Sequence, residues 1–176
     1  MYKPLTKIVK TSLAALTISW GLHTPSMAAK FDVKQEINID SSRQSADLKN
    51  KIFSYRDNVL ITQGPLVIKA DLVHVITENQ TDNKIYVAKG KPATFKHILD
   101  DGSPIFLQAN EIKYQPSKNT VVVSGDAELR QEGSKIRGSI ITYNFLTEQV
   151  NASSNSKDDN DRVSTVLQSK VLDKDK

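Results

Sequence analysis

The stretch Leu66-Val67-Ile68-Lys69-Ala70-Asp71-Leu72-Val73-His74-Val75 decides the fold. Its apolar residues begin on even positions, Leu66, Ile68 and Ala70, and continue on odd ones, Val73 and Val75. Alternation with period two marks a half-buried β-strand. The step of three from Ala70 to Val73 turns the apolar side over, which a continuous strand accommodates only through a bulge or a corner. A small residue lets backbones approach there, and a following Asp, Asn or Ser bonds its own turn.

The signature recurs. Ala109-Asn110-Glu111-Ile112-Lys113-Tyr114 and Gly138-Ser139-Ile140-Ile141-Thr142-Tyr143 repeat the small residue, the short polar residue and the apolar pair three and five positions on. Ala46-Asp47-Leu48 opens an earlier copy, with Lys49 in place of the first apolar residue. Most copies lead into a strand that meets a turn and re-emerges, as in residues 54–61, 86–95 and 122–129. Each repeat therefore reads as strand, corner, strand and hairpin.

Alternation continues in both directions, through Ile37 and Ile39, Val59 and Ile61, Phe95, Leu129, and more loosely Val163 to Val166. Turn-formers separate the runs: Asp40-Ser41-Ser42, Arg56-Asp57-Asn58, Gln63-Gly64-Pro65, residues 79–83, Asp100-Asp101-Gly102-Ser103, Pro116-Ser117-Lys118-Asn119, Gly125-Asp126 and Glu132-Gly133-Ser134. The spacing predicts about 14 to 16 short antiparallel strands and no amphipathic helix. The fold class is all-β, and the sheet must fold over on itself, as a jelly roll or a folded, V-shaped roll, so that its apolar sides meet.

The N-terminus carries a different signal. Lys3, Lys7 and Lys10 precede an apolar run from Leu13 to Leu22, Pro25 breaks it, and Ser26-Met27-Ala28 places small residues for cleavage after Ala28. Residues 1–28 read as a secretory signal peptide, since the run is shorter than the roughly 20 residues of a spanning helix. Residues 29–176 form one domain, with a short flexible tail. The whole chain holds 24 basic and 20 acidic residues; the leader takes three lysines and no acid, so the remainder is near neutral. That balance argues against a nucleic-acid partner. With no cysteine, thiolate metal sites, disulfides and cysteine nucleophiles are excluded.

His74 and His97 fall in no catalytic motif, and His74 alternates out of phase with Val73 and Val75. Residues 157–162 lack the glycine and terminal glutamate of an EF-hand loop and read as a solvated loop. Asn79-Gln80-Thr81 and Asn151-Ala152-Ser153 match a glycosylation pattern but read as turns. No enzyme, cofactor or metal is expected.

Several stretches carry a family resemblance: Ile37-Asn38-Ile39-Asp40-Ser41, residues 58–64 and 68–75, Gly90-Lys91-Pro92-Ala93-Thr94-Phe95, residues 138–143, and Arg162-Val163-Ser164-Thr165-Val166-Leu167. Together they resemble the LptA family, periplasmic lipopolysaccharide-transport proteins with OstA-like repeats, over residues 33–173. Asn58 stands where that family commonly has Gly. The resemblance implies an OstA-like β-jelly roll of about 16 antiparallel strands, stacked head to tail with itself. It would link an LptC-type inner-membrane subunit to the N-terminal domain of the outer-membrane LptD-type translocon. The cargo would be lipopolysaccharide, its lipid A acyl chains in a groove lined by Ile37, Ile39, Val59, Ile61, Ile68, Val73, Val75, Phe95, Ile112, Tyr114, Leu129, Ile141 and Tyr143. Partner-binding edges are expected at residues 33–39 (Val33, Gln35, Ile37) and 163–171 (Val163, Thr165, Leu167), because unpaired strand edges accept further strands. Lys84 and Lys96 are rim candidates for lipid A phosphates. An LptC-like subunit, a translocon N-terminal domain or a periplasmic β scaffold that binds no lipid are the competing readings.

Overall fold

The computed structural model describes residues 32–78, 81–154 and 162–168. The leader, Ala28, Asn79-Gln80, residues 155–161 and the tail beyond 168 lie outside these. Ten strands are described: β1 (Asn38–Asp40), β2 (Arg43–Asp47), β3 (Ile52–Gln63), β4 (Leu66–Thr77), β5 (Lys84–Ile98), β6 (Pro104–Gln115), β7 (Thr120–Gln131), β8 (Ser134–Asn144), β9 (Gln149–Ser153) and β10 (Ser164–Val166). One 3-10 turn, Pro116–Lys118, joins β6 to β7. All strands share one antiparallel sheet in the order β1-β3-β4-β5-β6-β7-β8-β10, with β2 also on β3 and β9 also on β8.

Ten strands, not 16, correct the expected count, and the corner explains the difference. The strands β3 to β8 run 11 to 15 residues each and pass through the corner unbroken. Counting their two halves separately restores the larger number. The register slips at one place in each pairing from β3 to β8, between Arg56 and Val59, Lys69 and Leu72, Lys89 and Ala93, Gln108 and Glu111, and Ser124 and Ala127. The even-numbered strands carry the small residue there (Ala70, Ala109, Gly138), and the odd-numbered ones carry the extra residues. Asp57 and Asn58 both have positive φ, as do Gly125 and Asp126. These two pairs, expected as hairpin turns, are bulges inside single strands. The same left-handed residues serve either purpose, so composition alone does not separate them.

The slips line up across the sheet and divide it into two layers. Layer I contains β1, β10 and the halves 59–63, 66–70, 93–98, 104–109, 127–131 and 134–138. Layer II contains β2, β9 and the halves 52–56, 72–77, 84–89, 111–115, 120–124 and 140–144. Distances show that the layers face each other. Phe95 lies opposite Leu107 on β6, seven residues from Tyr114. A flat strand would separate those rows by roughly 23 Å. The Phe95 and Tyr114 rings lie 6.4 Å apart instead.

Gly90 shows why the corner is sequence-specific. A Cβ there would stand 2.8 Å from the backbone nitrogen of Ala93, which no side-chain rotation relieves. Gly90→Ala is expected to cost about 1–3 kcal/mol by forcing a backbone shift. Urea unfolding should show a lower midpoint with an unchanged slope; an unchanged midpoint would mean that the corner yields freely.

The predicted edge strands are shorter than read. Residues 33–35 form a turn, with the Gln35 amide donating to the Asp32 carbonyl at 3.0 Å, and only Asn38–Asp40 pairs, with Leu60 to Thr62. At the other end only Ser164–Val166 pairs, with Lys135 to Arg137. Asn151, Ala152 and Ser153 lie in β9 rather than in a turn.

An apolar interior with a sealed mouth

Period two puts one side of each half-strand between the layers, and the corner flips the parity so that both halves face inward. Val59, Ile61, Ile68, Val73, Val75, Phe95, Ile112, Tyr114, Leu129, Ile141 and Tyr143 all belong to one buried cluster. Ile37 and Ile39 are half-buried and pack against it. The thirteen expected groove positions are therefore brought together. The fold adds others of the same parity, among them Leu66, Tyr86, Ile105, Leu107, Val121 and Val123. Ile61, Val73, Ile112, Tyr114 and Ile141 have no exposed surface, so the protein's own side chains fill the space between the layers.

The corner closes one side of this interior, and hairpins rim the other. At that mouth three residues that the sequence reading left aside form a seal. Gln63 is 1 % exposed. Its Nε2 donates to the carbonyls of Val33 at 2.7 Å and Gln35 at 2.9 Å, and its Oε1 accepts from the Tyr114 hydroxyl at 2.5 Å. It thereby ties the N-terminal turn, layer I and layer II together. His97 packs its ring 6.5 Å from that of Tyr143 and 6.2 Å from that of Phe145. Phe145 lies 5.9 Å from Tyr114. Parity could have found two of them: Gln63 follows Val59 and Ile61, and His97 follows Ala93 and Phe95. Their polarity hid them, because inward positions were sought among apolar residues.

Burial raises the Tyr86, Tyr114 and Tyr143 hydroxyls above the ordinary phenol range, so all three stay neutral. Burial also holds the His97 imidazole below its ordinary 6.5, with Asp100 pulling the other way. The unfolded chain then binds a proton that the folded chain resists, so stability is full above about pH 6.5 and declines as the pH falls below it. Melting temperatures at about pH 7.5 and about pH 5.5 should differ, and by less in His97→Phe. An equal difference in the variant would remove His97 from this account.

The rim and edges differ in part from expectation. Lys96 points away from the interior, on the outer face of layer I, 5.6 Å over the Phe106 ring. Lys84 is exposed at the start of β5. Val163, Thr165 and Leu167 are exposed, Leu167 at 77 %. Gln35 is also exposed, whereas Val33 and Ile37 pack against the core. Among the described residues no group of three or more His, Asp or Glu could hold a metal, and no helix is long and apolar enough to cross a membrane.

Comparison with known proteins agrees with this geometry. The family model described as "LptA/(LptD N-terminal domain) LPS transport protein" matches residues 38–165. Haemophilus influenzae lipopolysaccharide export system protein LptA is 39 % identical over 164 residues, covering 92 % of this chain and 93 % of that protein. The Escherichia coli K12 protein of the same name is 35 % identical over 164 residues, covering 93 % and 84 %. The crystal structure of Pseudomonas aeruginosa LptH, described as the LptA-homologous periplasmic component of the lipopolysaccharide transport device, superposes with a TM-score of 0.71. It covers 79 % of this chain and 99 % of LptH at 24 % identity, a match of fold. The folded two-layer sheet, its sealed apolar interior and these matches place the chain in the LptA/(LptD N-terminal domain) family of LPS transport proteins.

Proposed function

We propose that this protein is a periplasmic carrier that takes the acyl chains of lipopolysaccharide between its two layers and bridges inner- and outer-membrane partners. The observation that carries this is a continuous apolar interior, lined from both layers and bounded by a hydrogen-bonded mouth instead of a covalent closure. Each buried methylene is worth about 0.8 kcal/mol, so a single long acyl chain gains on the order of 10 kcal/mol on leaving water. A gain of that size can separate layers that otherwise fill their own interior. The sugars and phosphates remain outside, in water.

Binding should therefore depend on the acyl chains. Lipopolysaccharide is expected to displace a fluorescent fatty-acyl probe from the purified protein, whereas the same molecule stripped of its acyl chains should not. Displacement by both forms alike would contradict an acyl-binding interior.

The bridge rests on the edges. β1, β2, β9 and β10 end the sheet on either side, and apolar side chains stand exposed beside them, Leu48 at 76 % and Val166 at 59 %. A second copy adding its edge there would continue the sheet head to tail, and an LptC-type or LptD-type partner would do so at either end. Deleting residues 162–176 removes β10 and should shift light-scattering mass toward the monomer without loss of the β-sheet circular dichroism. Unchanged oligomers would refute that edge as the junction.

A further inference from the structure

We infer that the outer face of layer I is a binding site for a phosphorylated sugar. Two adjacent cross-strand rows build it. Val67, Lys96, Phe106, Arg130 and Lys135 are register partners in one row, and Lys69, Thr94, Gln108, Glu128 and Arg137 in the next. The two rows hold five cations and one acid. The equivalent rows of layer II are mostly apolar or neutral, and their Lys89 is matched by Glu111 at 3.2 Å.

The cations are placed, not scattered. Glu128 has a side chain only 5 % exposed, at the centre of the cluster. It accepts from Arg130 Nε, from Arg137 Nε at 2.6 Å, and faces Lys135 Nζ at 3.7 Å. One carboxylate thus orients three cations and neutralises only one of them. Both arginine side chains remain more than half exposed. Arg130 also stands directly opposite Lys135 in the register, and the Glu128 carboxylate between them offsets this like-charge pairing.

Shape narrows the ligand. All of these cations but Arg137 line a cleft of about 890 Å³, with Glu128 and Glu132 among them, within the size range of small-molecule sites. Phe106 is 43 % exposed in it, beneath Lys96 and beside Arg130. A phosphate takes paired N–H donors from a guanidinium. The C–H face of a sugar ring lies against the electron-rich face of an aromatic ring. A free phosphate would have no use for Phe106, and an apolar ligand none for the cations. The cleft also reaches Pro104 and the 132–134 hairpin, on the lip of the mouth. An amphiphile with its chains between the layers would bring its phosphorylated head round that lip. This last link, though not the site itself, rests on the function proposed above.

Water-soluble probes test the site without touching the interior. Glucosamine 6-phosphate titrated into the purified protein should move the backbone amide resonances of Phe106, Arg130 and Arg137, and glucosamine should not. Arg130→Gln with Arg137→Gln should weaken binding about tenfold or more. Phe106→Ala should weaken the sugar phosphate about threefold and leave inorganic phosphate unchanged. Should the double arginine variant fail to fold, Lys96→Gln, outside the Glu128 cluster, is expected to weaken binding about threefold. Deacylated lipopolysaccharide binding more tightly than glucosamine 6-phosphate would support the site with the cargo as its source. Equal binding would support it with a free sugar phosphate as the source. Equal binding of glucosamine and its phosphate, or binding indifferent to all three variants, would overturn the inference. So would arginine-dependent binding to phosphatidylglycerol vesicles with no response to the sugar phosphate. None of these results depends on acyl-chain displacement, so failure here leaves the carrier reading standing, and the converse holds.

Discussion

Tyr114→Ala is expected to destabilise the protein by about 3–5 kcal/mol, the largest loss we foresee for any single truncation. The Tyr114 side chain is completely buried. Its ring meets Tyr86 on its own layer at 5.8 Å, and Phe95 across the interior at 6.4 Å. Truncation removes those contacts, leaves a cavity, and strands the Gln63 Oε1 that the hydroxyl had satisfied. Tyr114→Phe separates the contributions. It keeps the ring and loses only the bond to Gln63, which should cost about 1–3 kcal/mol. Because that bond joins the layers at the mouth, Tyr114→Phe should also admit an acyl probe faster than the parent protein does. Chemical denaturation measures the stabilities and stopped-flow fluorescence the uptake. Equal stability of Tyr114→Ala and Tyr114→Phe would show that the ring does not hold the layers together.

Tethering the two layers should abolish acyl-chain binding. The chain contains no cysteine, so Gln63→Cys with Tyr114→Cys introduces the only two thiols. Gln63 belongs to layer I and Tyr114 to layer II, and their side chains already touch. A short bismaleimide across them would hold the mouth closed over an interior lined by the protein's own buried side chains. Affinity for a fatty-acyl probe should fall about tenfold or more, since the binding-competent open state is removed from the population. The same double variant before cross-linking should bind at least as well as the parent, having lost its seal. Unaltered affinity after cross-linking would mean that lipid enters without separating the layers.

Period-two alternation made the strands legible, and the step of three at Ala70, Ala109 and Gly138 made the corner legible. Those two patterns are set by local geometry, so a single sequence displays them. The count of strands was not legible, because Asp57-Asn58 and Gly125-Asp126 adopt the same left-handed backbone in a bulge as in a hairpin. Only the partner strand's register distinguishes the two. The inward-facing positions were legible for a related reason: parity determines which side faces inward whatever the partner strand is. Gln63 and His97 escaped because their burial depends on partners 51 and 46 residues away in the chain, Tyr114 and Tyr143. The outer cationic face escaped likewise. Lys69, Lys96, Arg130, Lys135 and Arg137 are ordinary surface charges along the chain and become a cluster only when four strand pairings align them. The cargo was never legible from pattern alone, since an apolar interior and an ordinary core obey the same rules.

The central claim is that lipopolysaccharide enters between the layers, and site-specific photo-cross-linking tests it most directly. A photo-reactive residue is placed in turn at Phe95 and Ile112, which face inward, and at Lys113, which faces outward on layer II. Adducts with lipopolysaccharide are predicted from Phe95 and Ile112 and none from Lys113. Adducts from Lys113 with none from either inward position would contradict the account.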